Sequence, residues 1–143
     1  MTPAPHQATG VAVGAPGAFR AVLIEGPPGS GKSSLALALI DRGAALVGDD
    51  GVLIEPRDGR LWALPPPAIA GLLEVRNVGI VRLAAVAAPV SLVVRLDREA
   101  PRFVEAPEAI ILAGVRLPLI RLWPDSPVLA LRAEQALALH GAG

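Results

Sequence analysis

The stretch Gly26-Pro27-Pro28-Gly29-Ser30-Gly31-Lys32-Ser33 constrains this chain more than any other. It fits the pattern G-x-x-x-x-G-K-[S/T] and is too rich in glycine and proline to be helix or strand. Residues 19–25 (FRAVLIE) ahead of it read as a buried strand. Residues 32–42 (KSSLALALIDR) behind it read as a helix, with Leu35, Leu39 and Ile40 near one face and Gly43 as the stop. Strand, glycine loop and helix in that order make a phosphate-binding loop. Glycines let backbone N–H groups converge on phosphate oxygens, and the helix N-terminus adds the positive end of its dipole. In such a loop Lys32 reaches the β- and γ-phosphates of a nucleotide, and the Ser33 hydroxyl can ligate Mg²⁺.

Composition sharpens that reading. Of the 13 basic residues, 12 are arginine, and the single lysine is Lys32. A chain that uses arginine almost everywhere keeps lysine at the one place where a compact ammonium cannot be replaced by a planar guanidinium. Several function classes fall away. Basic and acidic residues balance at 13 each, which argues against a nucleic-acid partner held by phosphate-backbone attraction. Aromatic residues are 3%, too few for a base-stacking platform. The absence of cysteine excludes disulfides, zinc fingers and thiol nucleophiles, and two histidines cannot make a histidine-rich zinc site. The apolar runs are broken well short of the ~20 residues a membrane helix needs. The first 13 residues lack the basic and apolar regions of a secretory signal. A soluble cytoplasmic protein with no membrane partner is the expectation, and 143 residues fit one domain, 1–143.

A phosphate loop needs an acidic partner for its metal. Leu46-Val47 begin a short strand that ends in Asp49-Asp50-Gly51. In a parallel α/β arrangement the carboxyl ends of the strands share one edge with the loop, so these carboxylates belong beside the phosphates. Alternation along a strand lets both face the site only if the strand ends there. One aspartate can then hold Mg²⁺ while the other accepts a proton; the rival reading is a solvated turn. Glu74, in Leu72-Leu73-Glu74-Val75-Arg76-Asn77, is either a core ion pair with Arg76 or a further metal-side group. His6 by itself reads as a tail histidine, and His140 as a dipole-complementing residue at a helix C-terminus.

The remaining pattern is strand-rich. Residues 1–8 read as loop and 9–13 as a weak strand. A hairpin is expected over 52–55 and 61–64 with Asp58-Gly59 at its turn. Residues 91–96 (SLVVRL), 109–112 and 115–122 suggest further strands, the last two broken at Gly114 and Pro118. Ser126-Pro127 is read as the N-terminus of a final helix running to about His140.

Two segments together, GPPGSGKSSLALALIDRGAALVGDDGVLI and LLEVRNVGIVRL, resemble the catalytic C-terminal domain of HPr kinase/phosphorylase, in the short form that lacks an N-terminal domain. The resemblance covers residues 5 to about 83. It implies an α/β P-loop fold related to phosphoenolpyruvate carboxykinase, a strand-rich mixed sheet with a P-loop helix and a C-terminal helix. It implies an ATP- and Mg²⁺-dependent serine kinase acting on HPr, a phosphocarrier of the sugar phosphotransferase system. The same site can phosphorolyse phosphoserine-HPr to release pyrophosphate. Carried over by position, Gly26, Pro27, Pro28, Gly29, Ser30, Gly31, Lys32, Ser33 and Ser34 form the phosphate site. Ser33, Asp50 and Glu74 surround Mg²⁺, Asp49 is the acid/base for the serine hydroxyl, and His6 lies near the reacting phosphate. The family forms ring-like oligomers, so a homo-oligomer is expected. This chain departs from the pattern in having Asn77 for the usual glycine after Glu-x-Arg and Ser34 for an acidic residue after the loop serine. The Pro-Gly-Arg-like stretch of long members is not found, and Arg116 and Arg121 are candidates for its basic residue by type alone. A small-metabolite kinase on the same scaffold and a nucleotide-sensing regulator without turnover are the alternatives. A sensor could dispense with Asp49 but not with the loop.

Overall fold

The computed structural model describes residues 2–143. The strands are β1 (Ala4–His6), β2 (Thr9–Val13), β3 (Arg20–Glu25), β4 (Ala45–Gly48), β5 (Val52–Arg57), β6 (Arg60–Leu64), β7 (Leu72–Val75), β8 (Gly79–Arg82), β9 (Ala88–Leu96), β10 (Glu108–Leu112) and β11 (Val115–Leu122). The helices are α1 (Lys32–Asp41) and α2 (Leu129–His140), with a 3₁₀ turn at Pro67–Ile69. Nine strands make one sheet, with the order β1-β5-β6-β9-β3-β2-β4 and with β11 and then β10 added beside β9. β7 and β8 form a separate hairpin.

The direction of the strands positions the site. β3 runs parallel to β9, and β9 parallel to β11. β2 is antiparallel to both β3 and β4, so β4 points the same way as β3 although β2 lies between them. The carboxyl ends of β3, β4, β9 and β11 therefore meet at one edge. The parallel arrangement expected for the Asp49-Asp50 strand holds in direction, with an antiparallel strand inserted.

Alternation along the central strands builds two cores. Ala21 and Leu23 of β3 join Ala12, Val47, Leu61 and Val93 on one face. Val22 and Ile24 join Val11, Leu92, Val94 and both helices on the other. A strand buried on both faces reads as a continuous apolar run, which is why residues 19–25 and 91–96 were legible as strands. Between Val90 and Leu92 the register with β3 slips, leaving Ser91 as the extra residue of a β-bulge.

α1 packs Leu35, Ala36 and Leu39 on the sheet and ends in a Schellman motif. The Gly43 N–H donates to Ile40 O at 3.0 Å and the Ala44 N–H to Leu39 O at 3.0 Å, with Gly43 at φ +110°. α2 packs through Leu129, Ala133, Ala136 and Leu137. It begins two residues later than expected. Ser126 does not cap it; its hydroxyl accepts the Val128 N–H at 3.2 Å, closing a turn before the helix.

Two further expectations are corrected and one strand is added. Residues 4–6 are a strand rather than loop, because β5 offers them an edge at Ala4↔Ile54 and His6↔Val52; an edge strand accommodates Pro5. β8 is a strand that local composition did not mark; it forms by pairing with β7 across a turn with Asn77 at φ +69°. Pro118 does not break β11, since the pairing with β9 starts only at Leu119 and that side of the strand carries no ladder at Pro118.

Candidate active site

The phosphate loop leaves β3 after Glu25 and enters α1 at Lys32. Gly29 (φ +76°) and Gly31 (φ +99°) take left-handed backbone that side chains resist. A Cβ on Gly26 would stand 2.6 Å from the Ser30 hydroxyl and 3.2 Å from Leu96 Cβ, so the loop folds onto β9 only with glycine there. The first intrahelical bond joins the Leu35 N–H to Gly31 O at 2.9 Å. The amides of Lys32, Ser33 and Ser34 therefore precede the helix ladder and are available to an anion. Lys32 Nζ donates to Gly26 O at 3.0 Å and Pro27 O at 3.2 Å, bending back over the loop. The Ser30 hydroxyl is buried with no hydrogen-bond partner inside the same loop. An orphaned donor, a run of open amides and one ammonium fit a polyphosphate.

On one side of the loop lies an acidic cleft of about 480 Å³, lined by Ser33, Ser34, Asp49, Asp50, Glu74 and Arg76 beside Gly29 and Lys32. Asp49 is its centre. One carboxylate oxygen accepts from the Ser33 hydroxyl at 2.5 Å and from the Thr9 hydroxyl at 3.4 Å. The other accepts the Glu74 N–H at 3.1 Å. β4 has ended at Gly48, and Asp50 sits at φ +56° with its N–H donated to Thr9 Oγ1 at 3.1 Å. The strand end thus lets both aspartates face the cleft. Asp50 is exposed where Asp49 is half-buried. Glu74 pairs with Arg76 at 3.4 Å, but both side chains are exposed, so this is a surface pair at the cleft and not a core one. Among the described residues no three acidic or histidine side chains converge as a closed cage. The donor set of one hydroxyl and neighbouring carboxylates fits Mg²⁺, which is held by one or two carboxylates and completes its shell with phosphate and water.

The other side of the loop is a larger cleft of about 1290 Å³, lined by His6, Glu25, residues 26–30, Lys32, Arg95, Asp97 and Arg98. His6 is no tail residue. Its Nε2 meets a Glu25 carboxylate oxygen at 3.0 Å, and the second oxygen accepts from Arg95 at 2.8 Å. The hydrogen bond from His6 holds the Glu25 carboxyl below its ordinary range; burial opposes the shift and Arg95 reinforces it. Arg116 is exposed on β11 and lines neither cleft. Arg121 is engaged by Asp97 at 3.0 Å and Glu108 at 2.8 Å. Of the expected residues, the fold brings His6, Lys32, Ser33, Ser34, Asp49, Asp50 and Glu74 around the loop and leaves His140 in the last turn of α2. Thr9, Glu25 and Arg95 were not anticipated. The arginine that interrupts SLVVRL at the end of a buried run was the readable signal for Arg95.

A glycine loop between a parallel strand and a helix, with an aspartate from a second strand bonded to the loop serine, defines a P-loop protein of the nucleotide-phosphate-binding class. The family model of the HPr serine kinase C-terminal domain matches residues 6–95, and the chain belongs to that family. The match runs from His6 to Arg95 and so includes every residue of the smaller cleft and, of the larger, all but those from Leu96 onward. The HPr kinase/phosphorylase of Streptococcus thermophilus is 37% identical over 115 residues, covering 71% of this chain and 37% of that protein. That of Clostridium beijerinckii is 50% identical over 60 residues, covering 42% and 20%. The structure of the Hpr(Ser) kinase/phosphatase from Coxiella burnetii superposes with a TM-score of 0.81 at 25% identity, covering 94% of this chain and 88% of that one. The chain thus spans little more than a third of the length of the Streptococcus relative. None of its described helices is long and apolar enough to cross a membrane.

Proposed function

We propose that residues 1–143 form a single kinase domain that transfers the γ-phosphoryl group of ATP to a serine of HPr, in the cytoplasm, with Mg²⁺. The observation that carries the reading is the bond between Ser33 and Asp49, which ties the loop to the acidic strand end as phosphoryl transfer requires. Family membership supports HPr as the acceptor and links the reaction to the phosphotransferase system. The open amides at the start of α1 hold the phosphates, and Lys32, released from Gly26 and Pro27, neutralises the β- and γ-oxygens. Mg²⁺, when bound, supplies charge neutralisation along the polyphosphate; Ser33, Asp49 and Glu74 are the residues that would hold it.

The geometry favours exchanging the roles that the resemblance gives the two aspartates. Asp49 is engaged by the loop hydroxyl on the metal side. Asp50, exposed at the cleft, has a carboxylate open to accept the proton of an incoming serine hydroxyl. His6 lines the larger cleft together with Lys32, which supports the role beside the transferred group that the resemblance implies for it. A second reaction at the same site, phosphorolysis of phosphoserine-HPr, would pass the phosphoryl group to inorganic phosphate, forming pyrophosphate and freeing the serine, with the base returning its proton to the serine oxygen as an acid. Mass spectrometry of HPr after incubation with the protein, ATP and Mg²⁺ tests the reading: one added phosphoryl group on a serine is expected. Unmodified HPr with full nucleotide binding would leave a nucleotide-binding regulator instead.

A further inference from the structure

We propose that Glu25 is a positioning residue for His6, held in place by Arg95, and that this pair fixes which imidazole nitrogen is free to act at the phosphate loop. The inference rests on the reading that places His6 beside the transferred group.

Three observations carry it. Glu25 and Arg95 are direct cross-strand partners at the carboxyl ends of β3 and β9, so the backbone register brings the charges together. The Arg95–Glu25 contact is 2.8 Å and uses one carboxylate oxygen, which leaves the other for His6 at 3.0 Å. The carboxylate is well covered, with 14% of its side chain exposed, and it is the last residue before Gly26. A shift in its position is therefore a shift at the mouth of the loop.

The chemistry follows from donor and acceptor counting. An ionised carboxylate only accepts, so the proton shared with Glu25 belongs to His6 Nε2. In the neutral ring that choice leaves Nδ1 with the lone pair. Burial and the hydrogen bond from His6 act on Glu25 in opposite senses, and the hydrogen bond prevails, keeping the carboxyl ionised at neutral pH. Arg95 supplies the countercharge and restrains the carboxylate from rotating away. His6 is thereby presented with one tautomer and one ring orientation to the cleft it shares with Lys32. A glutamine at position 25 keeps the size but can accept or donate, so the tautomer would no longer be dictated.

Nitrogen-15 NMR of the imidazoles reads this directly. The chain has only two histidines, and His140 in α2 serves as the internal control. At a pH well above the ordinary imidazole range, wild-type His6 is expected with its proton on Nε2. Glu25→Gln and Arg95→Gln are expected to move His6 toward a mixture of tautomers, Glu25→Gln the further, with His140 unchanged. In HPr phosphorylation, Glu25→Gln is expected to lower kcat roughly tenfold while the ATP KM stays within about twofold, because positioning acts on the reacting geometry more than on ground-state binding. A wild-type His6 that carries its proton on Nδ1 or populates both tautomers overturns the proposal. So does a tautomer that Glu25→Gln leaves fixed, or one that is lost with no change in kcat. If wild-type protein transfers nothing to HPr, the kinase reading fails and the tautomer measurement alone decides the pairing.

Discussion

The two clefts that flank the phosphate loop differ in chemistry. The smaller holds oxygen donors: a hydroxyl on Ser33 and carboxylates on Asp49, Asp50 and Glu74. The larger places an imidazole and guanidinium groups against the same loop, with Glu25 holding His6 and Arg95. The smaller side suits a hard cation and a departing proton; the larger side is of mixed charge, with Glu25, Asp97, Glu99 and Asp125 set among its imidazole and guanidinium groups. The comparison teaches that one loop serves two neighbours because strands on either side of β3 end at the same edge. The end of β4 delivers the two aspartates, β7 delivers Glu74, and β3 with β9 delivers the Glu25–Arg95 pair.

The largest effect is expected where both sides depend on the same group. Lys32→Arg keeps the charge but replaces a compact ammonium with a wide fork. Turnover should fall roughly 10²-fold or more with the fold intact, measured by HPr phosphorylation and circular dichroism. Near-normal turnover would remove Lys32 from the site.

The aspartates divide the acidic side itself. Asp49→Asn and Asp50→Asn should each slow transfer about 10²-fold, the scale of a lost acid/base or metal-side group. Only Asp49→Asn should displace the Mg²⁺ titration to higher concentration. A displaced curve for Asp50→Asn with a normal one for Asp49→Asn restores the roles implied by the resemblance. Full activity in both leaves a solvated turn.

The opposite side is tested by acid. Glu25 has its carboxyl held below the ordinary 4.5, so its interactions stabilise the fold fully above that value and are lost as pH falls through the lower folded-state value. Wild type should melt higher than Glu25→Gln at neutral pH, and the gap should close as pH drops below about 4. A gap that widens in acid would mean that Glu25 is not ionised in the fold.

The smallest effect lies outside both clefts. The Ser91 hydroxyl is fully buried without a partner at the β9 bulge, although its carbonyl accepts the Ala142 N–H at 2.8 Å. Ser91→Ala removes an unmatched polar group and keeps the backbone bond. It should leave stability unchanged or raise it by up to about 1 kcal/mol, read from a urea melt, with no change in transfer. A clear loss of stability would mean the hydroxyl has a bound-water partner.

The sequence by itself determined the phosphate loop, the helix behind it and the strand end at Asp49-Asp50. Each is set by local chemistry: glycine backbone freedom, helix-forming residues stopped by Gly43, and a short apolar run closed by acids. The match to the family and the fold of the Coxiella structure agree with that reading. Tertiary structure decided what local pattern cannot carry. β1 exists because a distant edge pairs with it, which converts His6 from a tail residue into a partner of Glu25. Thr9 became a bridge between both aspartates because β2 was inserted beside β4. Arg95 met Glu25 because a parallel register aligned residues 70 positions apart in the chain. Such pairings depend on strand order, and strand order is fixed by burying two apolar faces at once, a condition that the whole sheet satisfies and no short segment records.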